Sequence, residues 1–564
     1  MRASPPPPTA QGSPAIPMSD SSISPALRWS VVALAALIWF GLLGHRDLMG
    51  PDEGRYAEIP LEMVNSGDWL TPRLNGFKYF EKPVLQYWLT AASYELFGVS
   101  SASARLPVAL GGFLGALWVM FVGGRLWGAR AGFYAFLVLI GTLYYGALGH
   151  LITLDMLVGV FMFLGVGALL IAQSDRSDPR RVRNWMLLGW AALGLATLTK
   201  GLMGVVLPGG ALLLYSLWQR DWALWRHLHL GKGLLLYLAI TAPWFVAVSL
   251  ANPEFPEFFF IREHFQRYTT TVHQRNQPAW YFLPILLAGL LPWVVTGVAA
   301  LVRPGFRWSG GGGSGFDAVR LLWVYAVFIV LFFSAGSSML AAYILPVFPA
   351  LALLMGRRLA RGDRIGADQW LLLLLALALF AVVALLPSLL EGRFPAEALA
   401  RYRPWLLGSA CALLAGFVWL RWRGDRGPVA VSVMALAFLL AGQLAMRGFQ
   451  PLGQARSSRA LVEAIRPYLE PETPVYAVGF FPRTLAFYLG RPARLALASS
   501  ELKMGIGQEP EKWLPDWDAF VQSWQRQERA VAVFPAGDFP SYSTRGVPFR
   551  ILYRDSRQLA VVKP

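Results

Sequence analysis

The chain has 564 residues, of which 55% are hydrophobic and only 15% are charged. Soluble domains carry roughly 25% charged residues, so the composition argues against a soluble protein and indicates an integral membrane protein. The formal net charge is +17. Most arginines stand in short loops between apolar runs, where they set topology and contact anionic headgroups. This placement favours membrane lipids, not nucleic acid, as the partner of the positive charge.

The first residues differ in composition from the rest of the chain. Residues 1–25 are rich in Pro and Ser, so we predict a disordered cytoplasmic tail over 1–28. The apolar run 29–44 follows without a small-residue cleavage site, which predicts an uncleaved signal anchor. Cys411 is the only cysteine, so disulfides and cysteine-based metal sites are excluded.

Apolar runs in chain order predict about 13 membrane-spanning helices, because a bilayer core needs about 20 helical residues. After 29–44, the predicted spans lie near residues 104–124, 131–149, 151–172, 185–199, 202–218, 233–251, 279–302, 319–336, 340–356, 370–390, 405–420 and 428–445.

Alternate loops between these runs are rich in Arg and Lys, as in 176–183 and 357–364. The positive-inside rule makes these loops cytoplasmic, and it leaves loop 45–103 and the tail from about 447 outside. Pro83 to Gly98 is apolar but has about 16 residues, short of a full crossing, so we predict a helix in the outer interface.

The last part of the chain, residues 447–564, is more charged and has short alternating patterns. Residues 457–469 and 484–489 are predicted helices, and 475–479, 530–534, 549–553 and 558–562 are predicted strands. These elements predict a small α/β domain outside the membrane. Residues 309–315 (SGGGGSG) are predicted to be a flexible cytoplasmic linker.

Polar residues that favour chemistry concentrate on the outer side. Loop 45–103 begins with DEGRYAE and ends with KYFEKP, although its acids could simply pair with its bases. Asp155 and Lys200 stand at span ends, where a favourable helix dipole and snorkelling are the simpler interpretations. Ionisable residues inside apolar spans are nevertheless candidate functional residues.

The predicted topology brings five of these groups to one face of the bilayer. They are Asp52, Lys82, Asp155, Lys200 and Arg267. Lys and Arg bind phosphate, and carboxylates orient nucleophiles or stabilise developing positive charge. Such a set suits a lipid-linked phosphate at the outer leaflet.

The string DEGRYAEIPLEMVNSGDWLTPRLNGFKYFEKPVLQYW closely resembles the first-loop signature of bacterial 4-amino-4-deoxy-L-arabinose lipid A transferases. These share a clan with dolichyl-phosphate-mannose protein mannosyltransferases. The resemblance extends through SSMLAAYILPVFPALALL to the tail, and so covers most of the chain. It implies an all-α polytopic membrane protein of the GT-C fold over 29–446, with about 13 spans, plus a C-terminal periplasmic α/β domain over 447–564.

The resemblance also implies roles for individual residues. Asp52 and Asp155 correspond to catalytic acids, and Lys82, Arg267 and Tyr343 to ligands of the carrier phosphate. The expected donor and acceptor pocket comprises Glu53, Arg55, Tyr56, Tyr79 and Lys200. No cofactor is expected to be required, although Glu81 and His264 could bind a divalent metal ion; the alternative is a salt-linked pair. Where the family usually has Ser-x-Lys-Leu-Pro-x-Tyr, this chain has Met339 and Ala341 in place of the Lys and Pro.

The implied function is a lipid-linked, inverting pentosyltransferase of the Gram-negative inner membrane. It would move aminoarabinose from undecaprenyl phosphate to phosphate groups of lipid A at the periplasmic face, and so give resistance to polymyxin and other cationic peptides. The first-loop motif leaves open hexose transfer from a polyprenyl phosphate to protein or another glycan. A lipid transporter or flippase is a third alternative, but transporters usually have internal repeats and midplane polar sites, which this sequence lacks.

Overall fold

The computed structural model describes residues 23–266, 277–306, 315–362, 364–390, 395–543 and 547–564. Residues 1–22 of the predicted tail over 1–28, residues 309–314 of the predicted linker over 309–315, and Arg267 lie outside this part of the chain. Residues 25–28 of the predicted tail are not disordered, because they form the first turn of a helix. The described residues form a helical membrane part, an outer loop region, and a mixed sheet at the C-terminus.

The α-helices of the membrane part and first loop follow one another closely. They are α1 (Pro25–Phe40), α2 (Asp52–Ser66), α3 (Leu85–Phe97), α4 (Ser101–Trp127), α5 (Ala129–Ile140), α6 (Leu143–Leu148), α7 (Leu154–Ser174), α8 (Pro179–Lys200), α9 (Met203–Gln219), α10 (Leu230–Ala251), α11 (Phe282–Gly289), α12 (Val294–Val302), α13 (Ala318–Ser334), α14 (Val347–Ala360), α15 (Asp368–Leu390), α16 (Ala396–Arg423) and α17 (Gly427–Gly448). A π-helix occupies Glu257–Gln266, and a short 3-10 helix occupies Ala341–Ile344.

Six of the described helices are long and apolar enough to cross a membrane, namely α4, α7, α10, α15, α16 and α17. Four more apolar helices, α1, α5, α9 and α13, are shorter. The apolar stretch of α7 is 83% buried against 17% for α10, so α7 lies at the centre of the bundle and α10 at its edge. The chain is thus a multi-pass membrane protein, while the figure of about 13 spans stays a prediction.

Some predicted continuous spans are broken in the structure. The run 279–302 forms α11 and α12, which are separated near Pro292, a residue with no N–H to continue a helix. The run 131–149 divides at Gly141, where a Cβ would lie 2.9 Å from the Cα of Ala435. Hydropathy does not detect these breaks, because the residues at them are as apolar as their neighbours.

Helix α3 confirms the expectation of a short helix at Pro83 to Gly98. It has 13 residues, which at about 1.5 Å per residue is too short to cross the bilayer core. Leu96 and Phe97 at its end are 75% and 67% exposed. Its other face packs on α2 and α4, so it lies beside the first loop as an interfacial helix would.

The C-terminal part contains a six-stranded sheet. Its strands are β3 (Val475–Val478), β4 (Arg494–Ala496), β5 (Trp513–Leu514), β6 (Val531–Pro535), β7 (Arg550–Arg554) and β8 (Gln558–Val562), after a two-stranded hairpin in the first loop of β1 (Arg73–Leu74) and β2 (Phe77–Lys78). The sheet order is β5-β4-β3-β6-β8-β7, with β5, β4, β3 and β6 parallel and β8 antiparallel to both neighbours. Its helices are α18 (Gln450–Gly453), α19 (Arg459–Ile465), α20 (Leu485–Leu489), α21 (Lys503–Gln508), α22 (Trp517–Gln525) and α23 (Phe539–Ser543).

The four predicted strands and two predicted helices of this domain are confirmed, but β4 and β5 were missed because strands of two or three residues leave no alternating pattern. The domain is tied to the first loop by direct hydrogen bonds. Asn75 donates to the carbonyl of Ala493 at 2.9 Å and accepts from its N–H at 2.8 Å. The N–H of Gly50 donates to the carbonyl of Arg456 at 3.0 Å. The first loop and the sheet domain therefore pack together next to the membrane helices, and we call this combined layer the roof.

Candidate active site

Helix α2 places two adjacent carboxylates in different surroundings. Asp52 and Glu53 occupy its first turn, where the helix dipole favours negative charge, and the helix ends at Gly67 with a left-handed φ of 73°. The side chain of Asp52 is 50% exposed and faces a large cavity. Arg55, one helical turn on, holds its carboxylate at 3.3 Å. Asp52 is therefore the accessible acid of the pair.

Glu53 does not line the cavity, so the expectation that it belongs to the pocket is wrong. Its carboxylate accepts paired hydrogen bonds from Arg46, both at 2.9 Å, and from Arg105, at 2.8 and 2.9 Å. Burial alone would raise the pKa of Glu53, but Arg105 and Arg46 outweigh it and lower the pKa to about 2. Glu53 thus fastens the start of α2 to the membrane helices.

The cavity beneath the roof has a volume of about 1690 Å³. This is larger than the roughly 300–1,000 Å³ that holds a drug-sized ligand. Its lining includes apolar residues of α9 and α13, such as Leu202, Val206 and Phe332, together with charged groups of the first loop and the sheet domain. Leu202 and Val206 are 41% and 50% exposed. Such a cavity suits a molecule with both an apolar chain and a charged head.

A charged cluster lies at the membrane end of this cavity. Asp155, in the first turn of α7, is paired with the ammonium of Lys200 at the end of α8. The Nζ atom of Lys200 lies 4.9 Å from the ring centre of Tyr343. The three residues are thus brought together from α7, α8 and the 3-10 helix Ala341–Ile344, so neither a lone first-turn acid nor a snorkelling lysine describes them. Met339, where the family pattern has Lys, is only 6% exposed, yet Lys200 supplies a cation beside Tyr343.

Lys82 lines the same cavity from the end of the first loop. Its Nζ atom lies 3.6 Å from a carboxylate oxygen of Glu263 and donates to the carbonyl of Glu81 at 2.6 Å. Glu263, which is next to His264 in the sequence, had no predicted role. Arg267 and the side chain of His264 lie outside the described residues, so their predicted contacts with the carrier phosphate and a metal ion stay predictions.

Arg55 joins the first loop to the sheet domain at the cavity wall. It binds Glu501 through two nitrogens at 3.2 and 2.5 Å, and Arg483 binds the same carboxylate at 3.1 Å. Tyr56 also lines the cavity, and its ring lies 5.5 Å from the Arg55 guanidinium carbon. Glu501 and Arg483 were missed from sequence because they are more than 400 positions away from their partner.

The sequence predicted that Tyr79 lines the pocket, but Tyr79 is not among the residues that line the cavity. It is 2% exposed, and its hydroxyl has no hydrogen-bond partner among the described residues. Burial and the nearby Glu81 raise its pKa well above the ordinary tyrosine value, so the phenol stays neutral. Tyr79 is thus enclosed in the first loop and interacts electrostatically with Arg55 and Tyr56.

The geometry offers no ready metal cage in the part of the chain that is described. No group of three or more His, Cys, Asp or Glu side chains within these ranges could hold an ion. Glu81 lines the cavity, but the side chain of His264, its predicted partner, lies outside the described residues. The interpretation of Glu81 and His264 as metal ligands therefore stays a prediction.

Comparison with known proteins identifies relatives of this chain. Residues 461–563 match the family model of the aminoarabinose transferase C-terminal domain, and residues 81–246 match that of dolichyl-phosphate-mannose-protein mannosyltransferase. The undecaprenyl phosphate-alpha-4-amino-4-deoxy-L-arabinose arabinosyl transferase of Shewanella sediminis is 30% identical over 83% of this chain and 86% of its own. This chain belongs to the family of those arabinosyl transferases. The arabinosyl transferase of the same name from Edwardsiella ictaluri is 31% identical over 78% of this chain and 80% of its own.

A solved structure of the family has the same fold. The crystal structure of ArnT from Cupriavidus metallidurans bound to undecaprenyl phosphate aligns with a TM-score of 0.86 and 36% identity, over 96% of this chain and 99% of that chain. The expected GT-C fold and the expected family are confirmed. As a family member, the chain is a lipid-linked glycosyltransferase, and the transporter alternative is not supported.

Proposed function

We propose that this enzyme transfers 4-amino-4-deoxy-L-arabinose from undecaprenyl phosphate to a phosphate of lipid A. The main support for this proposal is that one cavity has an apolar wall next to the Asp155–Lys200 pair, Lys82 and Asp52. The apolar residues of α9 and α13 suit a polyprenyl chain, and the two lysines suit its phosphate. The arabinosyl transferases to which the chain is similar carry this donor in their names.

The lysines would act on the departing carrier. As the bond between the sugar C1 and the carrier phosphate oxygen breaks, negative charge grows on that phosphate. Lys82 and Lys200 line the space where such a group would lie, and ammonium groups stabilise phosphate charge strongly in a site with little water. Each lysine already has a carboxylate partner, Glu263 and Asp155 respectively, which holds it in place before the donor binds.

Asp52 would act on the sugar and the acceptor. A phosphate oxygen of the acceptor attacks C1 from the face opposite the carrier, and the carrier leaves with the electrons of the broken bond, so the configuration inverts. The attacking phosphate is already anionic at neutral pH and needs little help from a base. The exposed carboxylate of Asp52 instead stabilises the positive charge that develops on the sugar ring.

We propose that the transfer takes place at the periplasmic face of the membrane and needs no metal ion. The cavity is lined in part by the sheet domain, which the distribution of basic loops predicts to lie at the periplasmic face of the inner membrane. Modification of lipid A there would lower its negative charge and so give resistance to polymyxin and similar peptides. We propose that Lys82, Lys200 and Arg267 supply the positive charge for catalysis and that no cofactor is required.

The test is transfer by purified protein in detergent or nanodiscs, with undecaprenyl phosphate-aminoarabinose and lipid A followed by mass spectrometry. We expect a mass increase of one aminopentose per modified phosphate, and no loss of rate after treatment with EDTA. Lys82→Ala should nearly abolish transfer, since loss of one partner of a desolvated charge pair costs about 2–5 kcal/mol. Arg28→Ala, at the opposite end of the first span and away from the cavity, is the control. Transfer of a hexose with no aminopentose transfer would contradict the proposal.

A further inference from the structure

The cavity has a second charged wall that the transfer chemistry does not use. It is formed by the sheet domain, and we call it the outer basic wall: Arg456, Lys503 and Arg557, all of which line the cavity. Arg456 ends a 3-10 helix, Lys503 begins α21, and Arg557 stands in the turn between β7 and β8. Three separate elements of the domain thus direct a cation toward one space.

These cations are exposed and have no ion-pair partner. All three residues are in the exposed class, and across the described ranges no carboxylate lies within 4 Å of their charged nitrogens. Glu501, an acid of the sheet domain in the cavity lining, is paired with Arg55 and Arg483. Asp555, two residues before Arg557, accepts hydrogen bonds from the N–H groups of Arg557 and Gln558 at 2.7 Å and from Tyr553 at 3.0 Å.

The wall is held in a fixed position relative to the transfer site. The carbonyl of Arg456 accepts from Gly50, two residues before Asp52, at 3.0 Å. A Cβ on Gly54 would lie 2.5 Å from the carbonyl oxygen of Arg483, so α2 approaches the sheet domain as closely as glycine allows. Asp52 and the outer basic wall therefore line the same cavity in fixed positions.

We infer that the outer basic wall binds a second anionic group of the acceptor, namely a phosphate other than the one that receives the sugar. The inference rests on the proposed function, and it names the acceptor class as a glycolipid with two phosphates. The cavity volume of about 1690 Å³ has room for such a headgroup beside the lipid-linked sugar. A phosphate in this space would provide an anionic partner for the three cations, which have no carboxylate partner among the described residues.

The inference is tested by comparing acceptors with two phosphates and with one. The variant Arg456→Gln/Lys503→Gln/Arg557→Gln removes the wall. The control Arg494→Gln/Arg526→Gln/Arg554→Gln removes the same charge from exposed residues of the same domain that do not line the cavity. With the bisphosphorylated acceptor, we expect the wall variant to raise KM at least tenfold with kcat within twofold. The monophosphorylated acceptor should show no such rise, and the control variant should match wild type.

Binding without transfer separates this inference from the proposed function. Acceptor lipid titrated into donor-free protein in nanodiscs of neutral lipid should bind at least tenfold more weakly to the wall variant than to wild type. Equal affinity would overturn the inference, whatever sugar the enzyme transfers. Binding to nanodiscs of phosphatidylglycerol is measured as a second experiment. If the wall variant loses affinity only for this anionic lipid and keeps the preference for acceptors with two phosphates, the wall is a membrane contact and the inference is wrong. Failure of wild type to transfer aminoarabinose would instead count against the proposed function.

Discussion

At the scale of single residues, Asp52 and Glu53 illustrate how neighbouring carboxylates acquire different tasks. Successive side chains of a helix are separated by about 100°, so α2 directs Asp52 into the cavity and Glu53 toward Arg46 and Arg105. The accessible acid is available to substrate. The enclosed acid neutralises two guanidinium groups that contact no other carboxylate within the described residues.

Substitution of these two acids should therefore have different consequences. Asp52→Asn keeps the shape and removes the charge, and we expect turnover to fall at least about 100-fold with little change in carrier binding or thermal stability. Glu53→Gln leaves two buried guanidinium groups poorly compensated, so the protein should lose about 3–5 kcal/mol of stability. Transfer assays and thermal unfolding on both purified variants provide the comparison. An active Asp52→Asn enzyme would refute the catalytic role.

The Asp155–Lys200 pair makes a second prediction at this scale. Because the two side chains contact each other and are mostly buried, Asp155→Asn and Lys200→Gln should each lower kcat/KM by at least about tenfold. The loss of kcat/KM in the double variant should be smaller than the two single losses combined, since removal of both charges leaves no unpaired ion. Strictly additive losses in a double-mutant cycle would show that the residues act independently. Arg401→Gln, in an exposed ion pair with Glu397, is the control for loss of a charge.

At the scale of elements, the contact between α2 and the hairpin of β1 and β2 contains a pair of enclosed acids. Glu58 is 1% exposed and accepts from the N–H of Asn75 at 2.7 Å, while Glu62 accepts from the N–H of Gly76 at 3.0 and 3.1 Å. Burial, followed by repulsion from Glu62, raises the pKa of Glu58 well above its ordinary value of 4.5. The pKa of Glu62 is raised mainly by burial. Folding therefore moves the titration of this pair of acids to higher pH.

This pair should make stability depend on pH. An acid whose pKa is raised by folding stabilises the protein fully below its unfolded pKa, and this contribution is lost as pH rises toward the folded pKa. The melting temperature should therefore fall from about pH 4.5 upward. Glu58→Gln retains the acceptor for Asn75 and has no proton to lose, so its melting temperature should exceed that of wild type at pH 8 and depend less on pH. Glu463→Gln, in an exposed pair with Arg459, should follow the wild-type curve.

At the scale of the whole molecule, the topology can be tested with single cysteines on a Cys411→Ala background. Ser66 is exposed at the end of α2, and the side chain of Arg181 is 69% exposed near the start of α8. An impermeant thiol reagent should label Ser66→Cys in intact spheroplasts and Arg181→Cys only after lysis. Labelling of position 181 from outside would reverse the assigned orientation and place the cavity on the wrong face for lipid A.

Much of this molecule follows from the sequence alone. Hydropathy identifies a membrane protein, loop charges predict its orientation, and alternating patterns locate most of the sheet domain, because each of these signals depends on neighbouring residues. The first-loop motif identifies the family and indicates Asp52 and Lys82, and the wider resemblance to the family adds Asp155. The tertiary structure alone decides which charged groups meet: Lys200 with Asp155, Arg55 with Glu501, and Glu53 with Arg105. These pairs join residues 45 to 446 positions apart, and local pattern carries no information about contacts that exist only after distant helices and the sheet domain pack together.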